Sequence, residues 1–154
     1  MPRLHYEDFS EGSVEDFGPR TITRDEIIAY AKEFDSQPMH LDEEAAKQSL
    51  LGGLAASGWH TCCFMFRMLY DHLLKDSASL GSPGIEETKW LRPVRPDTAL
   101  TLRVEILDKR VSKSRPEMGL VRIRAQLLDE KSAAVIDQTS TLLIGLRAPR
   151  TVPQ

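Results

Sequence analysis

The chain lacks the features that mark secreted and membrane-spanning proteins. Only two of its 154 residues are cysteine. Cys62 and Cys63 are adjacent in a predicted helix, where a disulfide between neighbours would be strained, so we expect both thiols to be reduced and buried. The amino terminus has no apolar stretch of the kind found in secretory signals. The most apolar region, residues 50–74, contains Arg67 and Asp71 and does not resemble a membrane span.

An excess of positive charge is also missing. The chain has 20 Lys and Arg against 23 Asp and Glu, with a net charge of -3 and a pI near 5.8, which argues against a nucleic-acid partner. No internal repeat or low-complexity segment is present. With 41% hydrophobic and 28% charged residues, the composition is ordinary for a globular protein, and the length predicts one domain. We expect a cytoplasmic protein.

Helical patterns fill the first half of the chain. Thr23 and Glu26 have the spacing of a capping box, and apolar residues then recur every three or four positions, which predicts an amphipathic helix over residues 23–34. A short second helix is predicted over residues 43–48. Residues 57–74 form a longer pattern that is apolar around most of its circumference, and such a helix belongs at the centre of a fold.

The second half of the chain alternates between apolar and polar residues with a period of two. Strands are predicted over residues 85–91, 100–106, 121–127 and 135–146, and the short acidic segment 12–19 has a possible strand on either side. One apolar and one polar face per strand is typical of an antiparallel sheet with one wet side. Helices followed by strands predict an α+β protein. The simplest assembly wraps the curved sheet around the long helix, which is the hot-dog fold.

An acid and an imidazole follow the first predicted helix. Asp35 and His40 stand five positions apart, with Pro38 between them. Because the residue before a proline avoids helical backbone, Gln37 is expected to be extended and the segment to form a stiff loop. A carboxylate beside an imidazole is well suited to activating a water molecule. The pair therefore predicts an enzyme.

Residues 31–42, with the sequence AKEFDSQPMHLD, carry a resemblance to a known family. They resemble the hydratase motif of the MaoC-like dehydratases, the family of (R)-specific enoyl-CoA hydratases, which is written A-x-x-S-G-D-x-N-P-[LIV]-H-x-D. Asp35, Pro38, His40 and Asp42 fall on its matching positions.

Further stretches of the chain agree with this family in the same order. They are residues 52–58, residues 91–97 and the terminal strands, so the resemblance covers roughly residues 5–147. It implies one hot-dog domain over residues 1–150 and a short tail over residues 151–154.

Three positions depart from the family pattern. Gln37 replaces the usual Asn, Ser57 stands where many members have His, and Phe34 replaces a small residue before the acid. All three lie near the expected catalytic loop and acyl pocket, so they bear on the substrate more than on the type of reaction.

The resemblance implies reversible hydration of a trans-2-enoyl-CoA, or dehydration of a (R)-3-hydroxyacyl-CoA, in lipid metabolism. Asp35 would orient and deprotonate the water, and His40 would hold it and share the proton transfer. Gly58 would supply the oxyanion-binding N–H, because the first N–H groups of a helix have no partner inside it. No cofactor is implied, since coenzyme A is part of the substrate.

Other residues near the motif are candidates for substrate binding, namely Gln37, Ser57, Trp59 and Arg92. Three of the four also have a structural interpretation: Ser57 as a helix cap, Trp59 as a buried aromatic and Arg92 as a solvated charge. Arg95 is a further cation that could meet the phosphates of coenzyme A.

A metal site is not expected. Asp35, His40 and Asp42 together offer few ligands on a short loop. Asp42 has the residue type and the position of a helix N-cap.

Two other functions remain open on the sequence. A hot-dog thioesterase would bind the same acyl-CoA and direct water to the carbonyl carbon, and a non-catalytic module would only bind acyl-CoA. The resemblance also implies a homodimer with sites at the interface.

Overall fold

The computed structural model describes residues 1–148. The predicted tail, residues 151–154, and the last two residues of the predicted domain lie outside the described residues. The helices in chain order are α1 (Arg24–Phe34), α2 (Pro38–Leu41), α3 (Glu43–Lys47) and α4 (Gly58–His72). Single 3-10 turns lie at Tyr6–Asp8 and Leu74–Asp76.

One antiparallel sheet contains all six strands of the described chain. They are β1 (Val14–Arg20), β2 (Ser79–Gly81), β3 (Ile85–Trp90), β4 (Leu100–Val111), β5 (Met118–Leu128) and β6 (Ala134–Gly145). The order is β1-β4-β5-β6, and both β2 and β3 pair with the far side of β6. Helix α4 packs against β1, β4 and β5, which is the hot-dog arrangement expected from the sequence.

The pairing register explains why the sheet has one apolar face. In the β4–β5 ladder Leu102 lies opposite Leu127, and Ile106 lies opposite Ile123. These side chains are buried against α4, whose own buried residues are Thr61, Phe64, Met65, Met68 and Leu69. The alternation in the sequence therefore reports the inner face of the sheet correctly.

The sequence predicted that α4 would be buried on all sides, but one side of the helix is exposed. Trp59 is 63% exposed, Phe66 is 56% exposed and Tyr70 is 45% exposed. Cys63 is exposed and Cys62 is only partly buried, although both thiols are free as expected. A single sheet covers only one side of a helix. The apolar residues on the other side of α4 are therefore exposed to solvent in a single chain.

Two local predictions were wrong. Strands were expected on either side of segment 12–19, but most of the segment itself lies in β1 (Val14–Arg20), which pairs with β4. The strand shows no apolar alternation, because most of its residues are exposed and several are polar. One of them, Asp16, forms an ion pair with Arg103 (2.8 Å). The segment after Asp35 is not wholly a loop, because Pro38 occupies the first position of α2, where its fixed backbone angle suits a helix.

Among residues 1–148, no helix is long and apolar enough to cross a membrane.

Candidate active site

Asp35 lies at the carboxyl end of helix α1. Thr23 and Glu26 form the predicted capping box at its start, and Asp35 is its C-cap, with its N–H bonded to the carbonyl of Ala31 (3.0 Å). The Asp35 side chain is only 14% exposed. A carboxylate in such a place needs hydrogen bonds to remain ionised at low cost.

Two side chains supply those hydrogen bonds. The Ser57 hydroxyl donates to Asp35 Oδ2 (2.6 Å), and the Gln37 amide donates to Asp35 Oδ1 (2.8 Å). The hydrogen bond from Ser57 is the largest influence on the Asp35 pKa and lowers it. Burial raises the pKa, but the Gln37 bond and the nearby His40 lower it further, so the net pKa lies below its ordinary value.

His40 is held in one tautomer on α2. The ring is buried, and its Nδ1 lies 2.7 Å from the carbonyl oxygen of Ala55. A carbonyl oxygen only accepts, so Nδ1 carries the hydrogen and Nε2 of the neutral ring is an acceptor. That Nε2 lies 3.5 Å from Asp35 Oδ2. The acid and the imidazole therefore face one another as two adjacent acceptors.

Ser57 occupies the N-cap position of α4 but does not cap it. Its side chain makes no hydrogen bond to the helix, and its hydroxyl is directed to Asp35 instead. Ser57 is fully buried. The expected capping role is therefore wrong, and the residue joins the start of α4 to the end of α1. Asp42, in contrast, caps α3 as expected by accepting from the N–H of Ala45 (2.8 Å).

Gly58 begins α4 beside this carboxylate, and its N–H has no partner inside the helix. The missing side chain does not leave open space, because Trp90 fills it. A Cβ at position 58 would lie 2.6 Å from Trp90 Nε1. The same Nε1 donates to the Gly58 carbonyl (2.9 Å), and Thr61 Oγ1 donates to it as well (2.6 Å).

Trp90 was not singled out in the sequence. It ends β3, more than thirty positions from Gly58 along the chain, so no local pattern connects them. Trp59 packs edge-on against Trp90, with ring centroids 5.3 Å apart. The expectation of a buried Trp59 is wrong, and the two indoles stand together at the surface.

These residues surround a cleft of about 550 Å³. Of the residues predicted from the sequence, the cleft is lined by Asp35, Gln37, His40, Gly58, Trp59 and Arg92. Its apolar wall comes from Met39, Leu50, Leu51, Ala55, Ala56 and Val94. Ser57 does not line the cleft, because it is buried behind the cleft wall. Within the described chain, no group of three or more His, Cys, Asp or Glu side chains is arranged to hold a metal ion.

Comparison with known proteins identifies the family. Residues 9–126 match the family model described as the MaoC like domain, and the chain belongs to that family. A relative from Bacillus subtilis (strain 168), the uncharacterized protein YdeM, is 28% identical, and the match covers 92% of this chain and 99% of that protein. The crystal structure of a MaoC-like dehydratase from Rhodospirillum rubrum is 36% identical, with a TM-score of 0.84, over 94% of this chain and 99% of that one.

More distant structures share the fold. The (R)-hydratase PhaJ1 from Pseudomonas aeruginosa superimposes with a TM-score of 0.74 at 16% identity, over 98% of this chain and 94% of that one. A Mycobacterium tuberculosis protein with a double hot-dog fold gives a TM-score of 0.80 at 18% identity. This chain is covered to 97% but spans only 46% of that protein.

Replacing Ser57 with alanine is expected to raise the pKa of Asp35 towards its ordinary value, because the strongest hydrogen bond to the carboxylate is lost. Wild-type Asp35, with its lowered pKa, stabilises the fold above its unfolded-state pKa, and this contribution is lost as the pH falls through the folded-state pKa. The measurement is an NMR titration of the Asp35 carboxyl carbon. Ser10→Ala, an exposed change outside the cleft, serves as the control. An unchanged midpoint in Ser57→Ala would contradict the assignment.

Gly58→Ala is expected to destabilise the fold by about 1–3 kcal/mol, although alanine favours helices, because the new methyl overlaps the Trp90 indole. In a Trp90→Leu background the same change should cost at least about 1 kcal/mol less, since the two positions are in contact. Urea unfolding of the four proteins measures this coupling. Equal costs in both backgrounds would show that Trp90 does not require glycine here.

Proposed function

We propose that the protein hydrates trans-2-enoyl-CoA thioesters and, in reverse, dehydrates (R)-3-hydroxyacyl-CoA. The observation that carries the proposal is the pair of acceptors, Asp35 Oδ2 and His40 Nε2, which lie 3.5 Å apart in a cleft that Gly58 also lines. Membership of a dehydratase family supports the reaction type, and the presence of all three residues along one cleft supports the mechanism.

The acceptor pair suits a water molecule that donates two hydrogen bonds. Water binds an acceptor at about 2.8 Å, so one molecule can reach both Asp35 Oδ2 and His40 Nε2. Both of its hydrogens are then directed into the protein. Its oxygen lone pairs face the cleft, where C3 of the enoyl group would lie.

The proton of this water passes to His40 in our mechanism. Asp35 has a lowered pKa because it already accepts from Ser57 and Gln37, which makes it the weaker base. As the C3–O bond forms, the O–H bond breaks and Nε2 gains the proton, and the ionised Asp35 stabilises the imidazolium. The imidazolium then gives this proton to C2. Such acid-base help is worth ~10²–10⁴-fold.

This division of roles differs from the one expected from the sequence, in which Asp35 removes the proton. The difference follows from the tautomer, because the Ala55 carbonyl holds the hydrogen on Nδ1 and leaves Nε2 free to accept.

Gly58 would stabilise the enolate-like thioester oxygen. Its N–H begins a helix of 15 residues, so the helix dipole adds to the hydrogen bond. One such donor contributes roughly 3–4 kcal/mol to lowering the barrier. Trp90 and Thr61 both donate to the Gly58 carbonyl, which fixes the next peptide of the helix, on the carboxyl side of Gly58.

The rest of the cleft would bind the acyl chain and the carrier. The apolar wall that includes Met39 and Val94 suits an acyl chain, whereas Arg92 and Trp59 stand at exposed positions suited to coenzyme A. Gln37 would act through Asp35, to which it donates a hydrogen bond. The proposed reaction uses no cofactor or metal beyond the coenzyme A of the substrate.

With a panel of trans-2-enoyl-CoA thioesters, the wild-type protein is expected to consume the conjugated chromophore and to form the (R)-3-hydroxyacyl product. Asp35→Asn and His40→Ala should each lower kcat/KM by about 10²-fold or more, because each removes one partner of the water. Asp42→Asn is the matched control. It makes the same chemical change outside the cleft and keeps an N-cap residue, so activity should be unchanged.

The same assay distinguishes the other functions. Release of free coenzyme A without hydrated product would identify a thioesterase. Acyl-CoA binding without turnover, and unaffected by either site substitution, would identify a binding module. Activity that survives Asp35→Asn would refute the mechanism.

We further propose that the protein is a homodimer. The stripe on α4 formed by Trp59, Cys63, Phe66 and Tyr70 is exposed in the single chain, and β3 pairs only with β6 among the described strands. A second hot-dog copy is a partner of suitable shape, because one structural neighbour joins two hot-dog folds in a single chain.

Sedimentation velocity is expected to give a mass near 35 kDa, twice the 17.4 kDa of one chain. Phe66→Glu should shift the protein towards the monomer, because it places a charge in the apolar stripe. Val14→Glu makes the same type of change at an exposed position of β1 and should leave the mass unchanged. A monomeric wild-type protein at micromolar concentration would refute the proposal.

A further inference from the structure

Arg95 makes an unusual set of contacts beside the candidate site. It lies between β3 and β4, and its guanidinium reaches the loop that connects α3 to α4. Nη1 donates to the carbonyls of Gly53 (2.6 Å) and Leu54 (3.3 Å), and Nη2 donates to the carbonyl of Leu51. Within residues 1–148, no carboxylate lies within ion-pair distance of this guanidinium, so backbone oxygens are its partners.

The same loop carries the groups that organise the site. One residue beyond Leu54, the Ala55 carbonyl accepts from His40 Nδ1 (2.7 Å). Ser57 then donates to Asp35 (2.6 Å). The loop is secured to the Arg95 segment at a further point, where the N–H of Ala56 donates to the Val94 carbonyl (2.9 Å).

Three carbonyl oxygens converging on one point would repel each other without a cation between them. The planar fork of arginine presents several N–H groups in fixed directions, whereas a lysine ammonium is a single point of charge on a flexible stem. Gly53 leaves little spare room, because a Cβ there would lie 3.1 Å from Arg95 Nη1. The guanidinium and the loop therefore fit closely.

We propose that Arg95 is a positioning residue that sets the tautomer of His40 through this loop. With the guanidinium bound, the Ala55 carbonyl stays directed at Nδ1, and Nε2 remains the acceptor that faces the cleft. Without it, the loop relaxes, the bond to Nδ1 weakens, and His40 populates the tautomer with a hydrogen on Nε2, which cannot accept from water. The expected loss of catalytic rate rests on the proposed hydratase function, whereas the tautomer does not.

This role differs from the one that the sequence suggested. Arg95 was a possible partner for the phosphates of coenzyme A, but its guanidinium is committed to the three carbonyls and the residue does not line the cleft. The two roles have different kinetic consequences. A phosphate contact acts on KM, whereas a misplaced imidazole acts on kcat.

The experiment compares wild type with Arg95→Met and Arg95→Lys, with Arg110→Met as the control at an exposed position on β4. Nitrogen-15 NMR of the imidazole rings reports the His40 tautomer, and steady-state assays with a short trans-2-enoyl-CoA report kcat and KM. We expect the Nδ1–H tautomer in wild type and Arg110→Met. Arg95→Met should give a mixture of tautomers and a kcat about 10²-fold lower, with KM within about threefold. Arg95→Lys should lie in between.

Gly53→Ala keeps the guanidinium but crowds it, and it replaces Arg95→Met if that variant does not fold. It should alter the tautomer in the same direction. An unchanged His40 tautomer in the folded Arg95 and Gly53 variants would overturn the proposal, and so would a rise in KM alone. If the wild-type protein shows no hydratase activity while the tautomer still responds to Arg95, the proposed function fails and the positioning role stands.

Discussion

The site depends on keeping one carboxylate ionised where little water reaches it. Asp35 can be held there only if its oxygens are hydrogen-bonded, and its donors are Gln37, two residues further along the chain, and Ser57, at the start of α4. Ser57 supplies the shortest of these bonds and, in doing so, ties the end of α1 to the start of α4. The hydrogen bond that lowers the pKa of Asp35 most strongly therefore also connects α1 to the central helix.

A second requirement concerns the direction of the hydrogens. Nδ1 of His40 donates its hydrogen to the Ala55 carbonyl, so the nitrogen that faces Asp35, Nε2, is an acceptor. Two acceptors close together repel each other when nothing lies between them. The packing of α2 and the loop bound by Arg95 hold the two side chains in place against this repulsion. In the proposed reaction, a water molecule that donates one hydrogen bond to each acceptor would relieve the repulsion, so the two side chains would be arranged for this water before the substrate binds.

The sequence predicted the parts of the fold whose signals are local. The capping box of Thr23 and the alternating apolar residues of β4 and β5 each fall within a few positions, and both were read correctly. The Asp35–His40 motif was also local. The strand β1 was missed because its exposed polar residues show no alternation, and the exposed side of α4 was missed because an apolar helix gives no sign of which face its own sheet will cover.

The contacts that complete the site were beyond local patterns. Trp90 against Gly58, and Arg95 against the loop at Gly53, each join residues more than thirty positions apart. By itself, the sequence determined the chemical groups, their order and the α+β architecture, since these follow from residue type and spacing. Only the tertiary structure decided which way each group donates or accepts, because the partner of a hydrogen bond is set by which segments the folded chain brings together.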